Sequence, residues 1–198
     1  MKRLLTSGAL FLSLTLSACS GGSDNTGPGT PPPTPTIGIA LSSGSSTTAR
    51  GASATSTVTL TRGGGYTGEV SLSASGMPAG VTVTFAPATL SGSTNSVTAT
   101  FSVGATAAPG AASITITASG SGVTSATATY SLTIPTPAIA LTAGSTALSV
   151  VQGASGTVPI TITRSNGFAD GVTLAVSGLP TGVTASFAPA TLSGATLT

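Results

Sequence analysis

Chemistry in a protein needs titratable, nucleophilic or metal-ligating side chains, and this 198-residue sequence has few of them. The bases are Lys2, Arg3, Arg50, Arg62 and Arg164, the acids are Asp24, Glu69 and Asp170, there is no His, and Cys19 is the only cysteine. General acid–base catalysis needs a positioned titratable pair, and the three acids lie far apart in sequence. The many serines have no histidine to activate one of them as a nucleophile. One thiol and three scattered carboxylates do not make a transition-metal site. Calcium would want several oxygens from one loop. Nucleic acid would want a basic face, and the bases are too few. Gly63-Gly64-Gly65 lacks the Lys-Ser/Thr and the helix start of a phosphate loop, so it reads as a turn. The sequence therefore predicts a non-enzymatic protein with no catalytic residue, metal, cofactor, nucleic acid or small-molecule substrate.

Two of the five bases fall in the first three residues. Without them, three bases face three acids and the side-chain charge is zero. The basic balance thus reads as a targeting signal. Lys2 and Arg3 form a short positive segment, and Leu4 to Leu16 is mainly apolar. That run is shorter than the ~20 residues that span a bilayer and has the length of a signal-peptide core. Leu16-Ser17-Ala18-Cys19 resembles the lipobox of bacterial lipoproteins. The resemblance implies that residues 1–18 are a signal peptide, cleaved before Cys19. It also implies that Cys19 carries diacylglycerol on its sulfur and an acyl chain, such as palmitate, on the new N-terminus. Several chains together would anchor the protein stably to a bacterial membrane. By the same resemblance, Ser20 is compatible with the outer membrane or cell surface. A lone cysteine allows no intramolecular disulfide.

Residues 19–36 then read as a stalk. Its Gly/Ser half is flexible, and its Pro-rich half favours an extended polyproline form of ~3.1 Å per residue. The Thr-Pro composition also permits O-glycosylation.

Self-comparison exposes a repeat. Gly76 to Gly92 (GMPAGVTVTFAPATLSG) and Gly178 to Gly194 (GLPTGVTASFAPATLSG) agree at 13 of 17 positions, at an offset of 102. The same offset pairs Arg62 with Arg164 and Tyr66 with Phe168. Upstream, Ile39-Ala40-Leu41 matches Ile139-Ala140-Leu141 at an offset of 100. Two modules follow, 37–134 and 138–198, joined by a linker at 135–137. Their period suits an immunoglobulin-like β-sandwich. Period-two alternation predicts strands near 37–42, 54–62, 69–75, 81–86, 96–103, 112–119 and 124–134. Apolar residues point inward and Thr or Ser outward. The fold class expected is all-β, with one complete sandwich and one truncated sandwich. Thr198 aligns with Ser96, so the second module lacks counterparts of Val97 to Ile134, its last three strands. A truncated gene product is the favoured reading, and completion of the open edge by another chain is the other.

The run R-x-x-G-[Y/F], then V-x-L, then G-[M/L]-P-x-G-V-T-x-[T/S]-F-A-P-A-T-L resembles bacterial immunoglobulin-like modules of secreted and lipid-anchored surface proteins. That resemblance implies spacers, adhesins or accessory domains, and brings no catalytic residues with it. The loop residues Arg62, Tyr66 and Glu69, with Arg164, Phe168 and Asp170 in the second module, are the candidate ligand contacts. Their plainer reading is structural. Each Arg would pair with its acid across a turn for ~0–1 kcal/mol, and each ring would cap the end of the sandwich. The function expected is a lipid-anchored surface protein acting as spacer or adhesive surface, held to the membrane through Cys19 and meeting glycans or surface proteins. The alternative is a carbohydrate-binding accessory module of a longer secreted enzyme. Residues 138–198 expressed alone are expected to show no cooperative thermal transition; a sharp monomeric melt by circular dichroism would contradict this reading.

Overall fold

The computed structural model describes residues 31–194. The expected signal peptide, Cys19 and residues 20–30 of the expected stalk lie outside the described residues. Residues 31–35 are exposed and have no regular secondary structure.

All regular structure described is β. The Thr-rich alternation does what β-branched residues do on a pleated surface, with one side chain in and the next out. In β3 (Ser53–Gly63), Ser56, Val58 and Leu60 are buried while Thr55, Thr59 and Thr61 are exposed. The first sheet has the order β1 (Thr36–Leu41), β3, β7 (Ser96–Val103), β5 (Val81–Ala86), all antiparallel. The second has the order β2 (Ser45–Thr47), β9 (Ala126–Ile134), β8 (Gly110–Gly120), β4 (Val70–Ser75), β6 (Thr89–Leu90). It is antiparallel except for the parallel β2–β9 pair.

The two sheets close on one core. It contains Val58, Leu60, Val70, Val97, Phe101, Ile114, Ile116, Tyr130, Leu132 and Ile134, with Ile37, Ile39, Leu41, Leu72, Val83 and Phe85 partly buried around it. Phe101 comes from the first sheet and Tyr130 from the second. Their rings stack with centroids 3.8 Å apart and planes 7° apart. Residues 37–134 are thus an immunoglobulin-like sandwich, the fold class expected. All seven expected strands are present. The short β2 and β6 were not expected, because three and two residues carry no readable alternation.

The second module repeats part of this plan. β10 (Ala138–Ala143) pairs with β11 (Ile160–Ser165), and β12 (Val172–Thr173) with β13 (Thr191–Leu192). Ile139 lies opposite Arg164 as Ile37 lies opposite Arg62. The offset is therefore 102 here as well, and this corrects the sequence match at 100. Ile37-Gly38-Ile39 is the true counterpart of Ile139-Ala140-Leu141. Sequence identity favoured the slipped alignment; the hydrogen-bonded ladder rejects it. Both modules have a cis peptide at the same place, Ala86-Pro87 and Ala188-Pro189. Among the described residues of the second module only Ile162, Val172 and Leu192 are buried, with Phe168 and Leu174 against them.

The Tyr130 hydroxyl is buried without a hydrogen-bond partner. Leaving a polar group in that state costs ~1–3 kcal/mol. Tyr130→Phe is expected to keep the ring stack and raise stability by on the order of 1 kcal/mol. Phe101→Ala removes the stack and should cost ~3–5 kcal/mol. Urea denaturation of residues 31–134 measures both.

Candidate functional site

The candidate residues sit at the end of β3 and in the connection that crosses from β3 in the first sheet to β4 in the second, not in the hairpin loop expected. Arg62 is the penultimate residue of β3. The chain then turns, with the Tyr66 N–H donating to the Gly63 carbonyl at 3.1 Å. A planar guanidinium offers five donors in a fixed fork, and Arg62 directs three of them at separate segments. Nη1 donates to the Gly68 carbonyl at 2.5 Å, Nη2 to the Leu90 carbonyl at 3.0 Å and Nε to Asn95 Oδ1 at 3.2 Å. Leu90 belongs to β6, so one side chain from the first sheet ties down the edge of the second. The guanidinium carbon also lies 5.5 Å from the centre of the Tyr66 ring, within cation–π range.

Module two builds the same clasp at an offset of 102. Arg164 Nη1 donates to the Asp170 carbonyl at 2.5 Å and Nη2 to the Leu192 carbonyl at 2.9 Å. Its guanidinium carbon lies 5.5 Å from the Phe168 ring centre. The buried Arg164 Nε has no partner among the described residues. The residue corresponding to Asn95 is Leu197, whose side chain has no acceptor.

This arrangement corrects the expected ion pairs. Arg62 and Arg164 hold main-chain oxygens, and at Asp170 the acceptor is the carbonyl. Glu69 and Asp170 are exposed. Carbonyls at a sheet end need donors wherever the ladder stops supplying them, and the clasp meets that need. The acid is then free to move, which is why it stands at 69 in one module and at the position equivalent to 68 in the other.

Tyr66 folds back rather than outward. Its ring is half-buried and packs against the core, and its hydroxyl donates to the Glu69 carbonyl at 3.1 Å. Two glycines make room. A Cβ on Gly68 would meet the Tyr66 hydroxyl oxygen at 2.6 Å, and one on Gly120 would fall closer still. Module two has Phe168 without a hydroxyl, and there the position of Gly68 is held by Asp170, which does carry a Cβ. Leu90, Asn95 and Gly120 take part in the site but were not singled out from sequence. The repeated Ala-Thr-Leu at 88–90 and 190–192 marks the Leu, but its contribution is a carbonyl, which residue type does not reveal.

Beside the loop, Glu69, Ser71, Ser119, Gly120 and Ser121 line an open, shallow depression. Among the described residues no three His, Cys, Asp or Glu side chains gather, and no helix is long and apolar enough to cross a membrane.

No protein-family model and no curated protein matches the sequence. Solved structures with similar folds include a conjugative transposon lipoprotein from Bacteroides eggerthii DSM 20697, 7% identical with a TM-score of 0.41, covering 48% of this chain and 95% of that one. Domains 4 and 5 of the S-layer protein SbsC are 23% identical with a TM-score of 0.37, covering 50% and 51%. The multi-modular cell-surface chitinase ChiW from Paenibacillus sp. str. FPU-7 is 19% identical with a TM-score of 0.36, covering 50% of this chain and 13% of its own. The overlaps are partial, and the fold assignment rests on the strand order and register given above.

The pairing of ring and neighbour gives a test. Gly68→Asp alone should destabilise residues 31–134 by ~1–3 kcal/mol, as overpacking does. Tyr66→Phe removes both the nearest contact and the hydrogen bond that pins the ring, recreating the pairing of module two. The double variant is expected to recover more than half of that loss in a denaturation double-mutant cycle.

Proposed function

We propose that the protein is a non-enzymatic, lipid-anchored cell-surface protein whose immunoglobulin-like modules act as spacer and interaction surface. The observation that carries this reading is the direction of the clasp. The candidate side chains best suited to ligand contact, Arg62 with Tyr66 and Arg164 with Phe168, are directed at their own modules' carbonyls and cores. The outward positions of the strands in module one are largely neutral and hydroxylated. Thr55, Thr59 and Thr61 of β3, Thr98 of β7 and Thr127, Thr129 and Thr133 of β9 are all exposed.

The mechanism is geometric. Acyl chains on Cys19 hold one end in a bacterial membrane, in keeping with an outer-membrane or cell-surface location. The stalk provides reach, ~3.1 Å for each residue that is extended. The sandwich then stands clear of the membrane, facing glycans or other surface proteins. A carbohydrate-binding accessory role within a longer secreted enzyme would need an exposed aromatic platform, and the half-buried Tyr66 and Phe168 do not favour it.

The anchor is tested in cells of a lipoprotein-processing bacterium. The wild-type chain is expected to incorporate radiolabelled palmitate and to sediment with membranes. Cys19→Ala should abolish labelling and move the protein to the soluble fraction. A Cys19→Ala chain that stays membrane-bound would defeat the anchor reading.

A further inference from the structure

The chain passes from module one to module two over three residues. β9 is paired to its last residue, with Ile134 opposite Gly110, and β10 is paired from its first, with Ala138 opposite Ser165. Only Pro135-Thr136-Pro137 lies between them. Proline fixes its own φ at about −65° and confines the residue before it to extended backbone. Pro135 thus restricts Ile134, Pro137 restricts Thr136, and little torsional freedom is left in the linker.

Thr136 is also held from the side. Asn166 Nδ2 donates to the Thr136 carbonyl at 2.8 Å. Among the described residues Asn166 is the one residue other than glycine with a positive φ, at 56°, a conformation that asparagine adopts more readily than most side chains do. The next residue, Gly167, lies against module one. A Cβ on Gly167 would meet Arg50 Cβ at 2.8 Å, and the Arg50 carbonyl closer still. Arg50 is itself braced on its own module. Its Nε donates to the Ala107 carbonyl at 2.6 Å, and the neighbouring Gly51 N–H donates to the Val103 carbonyl at 2.9 Å.

Module one makes the same turn without these features. Pro33-Thr34-Pro35 stands where Pro135-Thr136-Pro137 stands, at the offset of 102. Gly64 holds the place of Asn166, with a φ of 58°, and has no side chain to donate. A Cβ there would meet the Thr34 carbonyl carbon at 2.5 Å, so Thr34 packs directly on the turn. Gly65 holds the place of Gly167, and among the described residues a Cβ on it would meet nothing within 4 Å. The turn itself therefore needs only glycines. The amide donor, and the close approach of the glycine after it, occur where the turn faces another module.

We propose that this junction is a locked joint with Asn166 as its latch, holding the two modules at one fixed angle. Domains that share a small interface move relative to one another by default. Here two prolines, one side-chain hydrogen bond and a glycine seated on a braced loop remove that freedom. Modules joined this way transmit direction as well as length. The inference goes beyond the spacer reading and rests neither on it nor on the lipid anchor, because the joint is the same whatever the modules present.

Spin labels on Thr127→Cys of β9 and Thr161→Cys of β11, both exposed positions, report the angle by double electron–electron resonance on the full chain. Cys19→Ala confines the labels to those two sites. The distance distribution is expected to be single and narrow. Asn166→Asp keeps the side-chain shape but sets an acceptor-only carboxylate against a carbonyl. Asn166→Gly installs the residue that the turn of module one already accepts. Each variant should widen the distribution about twofold, towards the freedom usual for a small inter-domain contact. A distribution as broad in the parent chain as in the variants, or as narrow in either variant as in the parent, would overturn the proposal.

Discussion

The contact between Phe101 and Tyr130 is the point on which the sandwich turns. Each ring comes from a strand central to its own sheet, and neither ring can be buried unless both sheets are present. The strands that carry them, β7 and β9, also bring Val97, Leu132 and Ile134, and β8, paired between β9 and β4, brings Ile114 and Ile116. These are long-range contacts, closed only when the last third of the module returns across the first. Module two shows the dependence within one chain. It has the same first strand pairing, the same clasp and the same F-A-P turn, yet among the described residues it buries only Ile162, Val172 and Leu192. Local devices are reproduced there; the shared interior is not.

The clasp has a different role from the core. Arg62 contributes no apolar cover of its own at the centre, but it joins β3, the following loop and β6 through main-chain acceptors. Carbonyls are present whatever the side chains are, so such a device tolerates sequence change around it. The exchange of Tyr and Gly for Phe and Asp between modules illustrates this. The ring keeps its distance from the guanidinium while its neighbour changes from no side chain to a carboxylate.

Much of the fold was legible because its code is short-range. Alternation of Val, Ile, Leu and Phe with Thr and Ser located seven strands, and Gly and Pro marked the turns. The 102-residue repeat fixed the module size. Four features were not legible, each for a physical reason. β2 and β6 are too short to show a period. The register of β10 is set by its ladder with β11, and a three-residue identity pointed two residues away from it. The partners of Arg62 and Arg164 are main-chain oxygens, which no residue type announces, so nearby acids drew attention instead. Gly120 makes room for Tyr66 across 54 positions, a relation only the folded chain displays.

The hydroxylated exterior of module one also bears on where such a domain can work. Its fold leans on close packing and main-chain donors rather than on exposed charge pairs, so brine has little to screen. The chain has no histidine, and so lacks the side chain that ordinarily switches charge between mild acid and neutrality. Structure held this way is largely indifferent to swings in acidity or salinity.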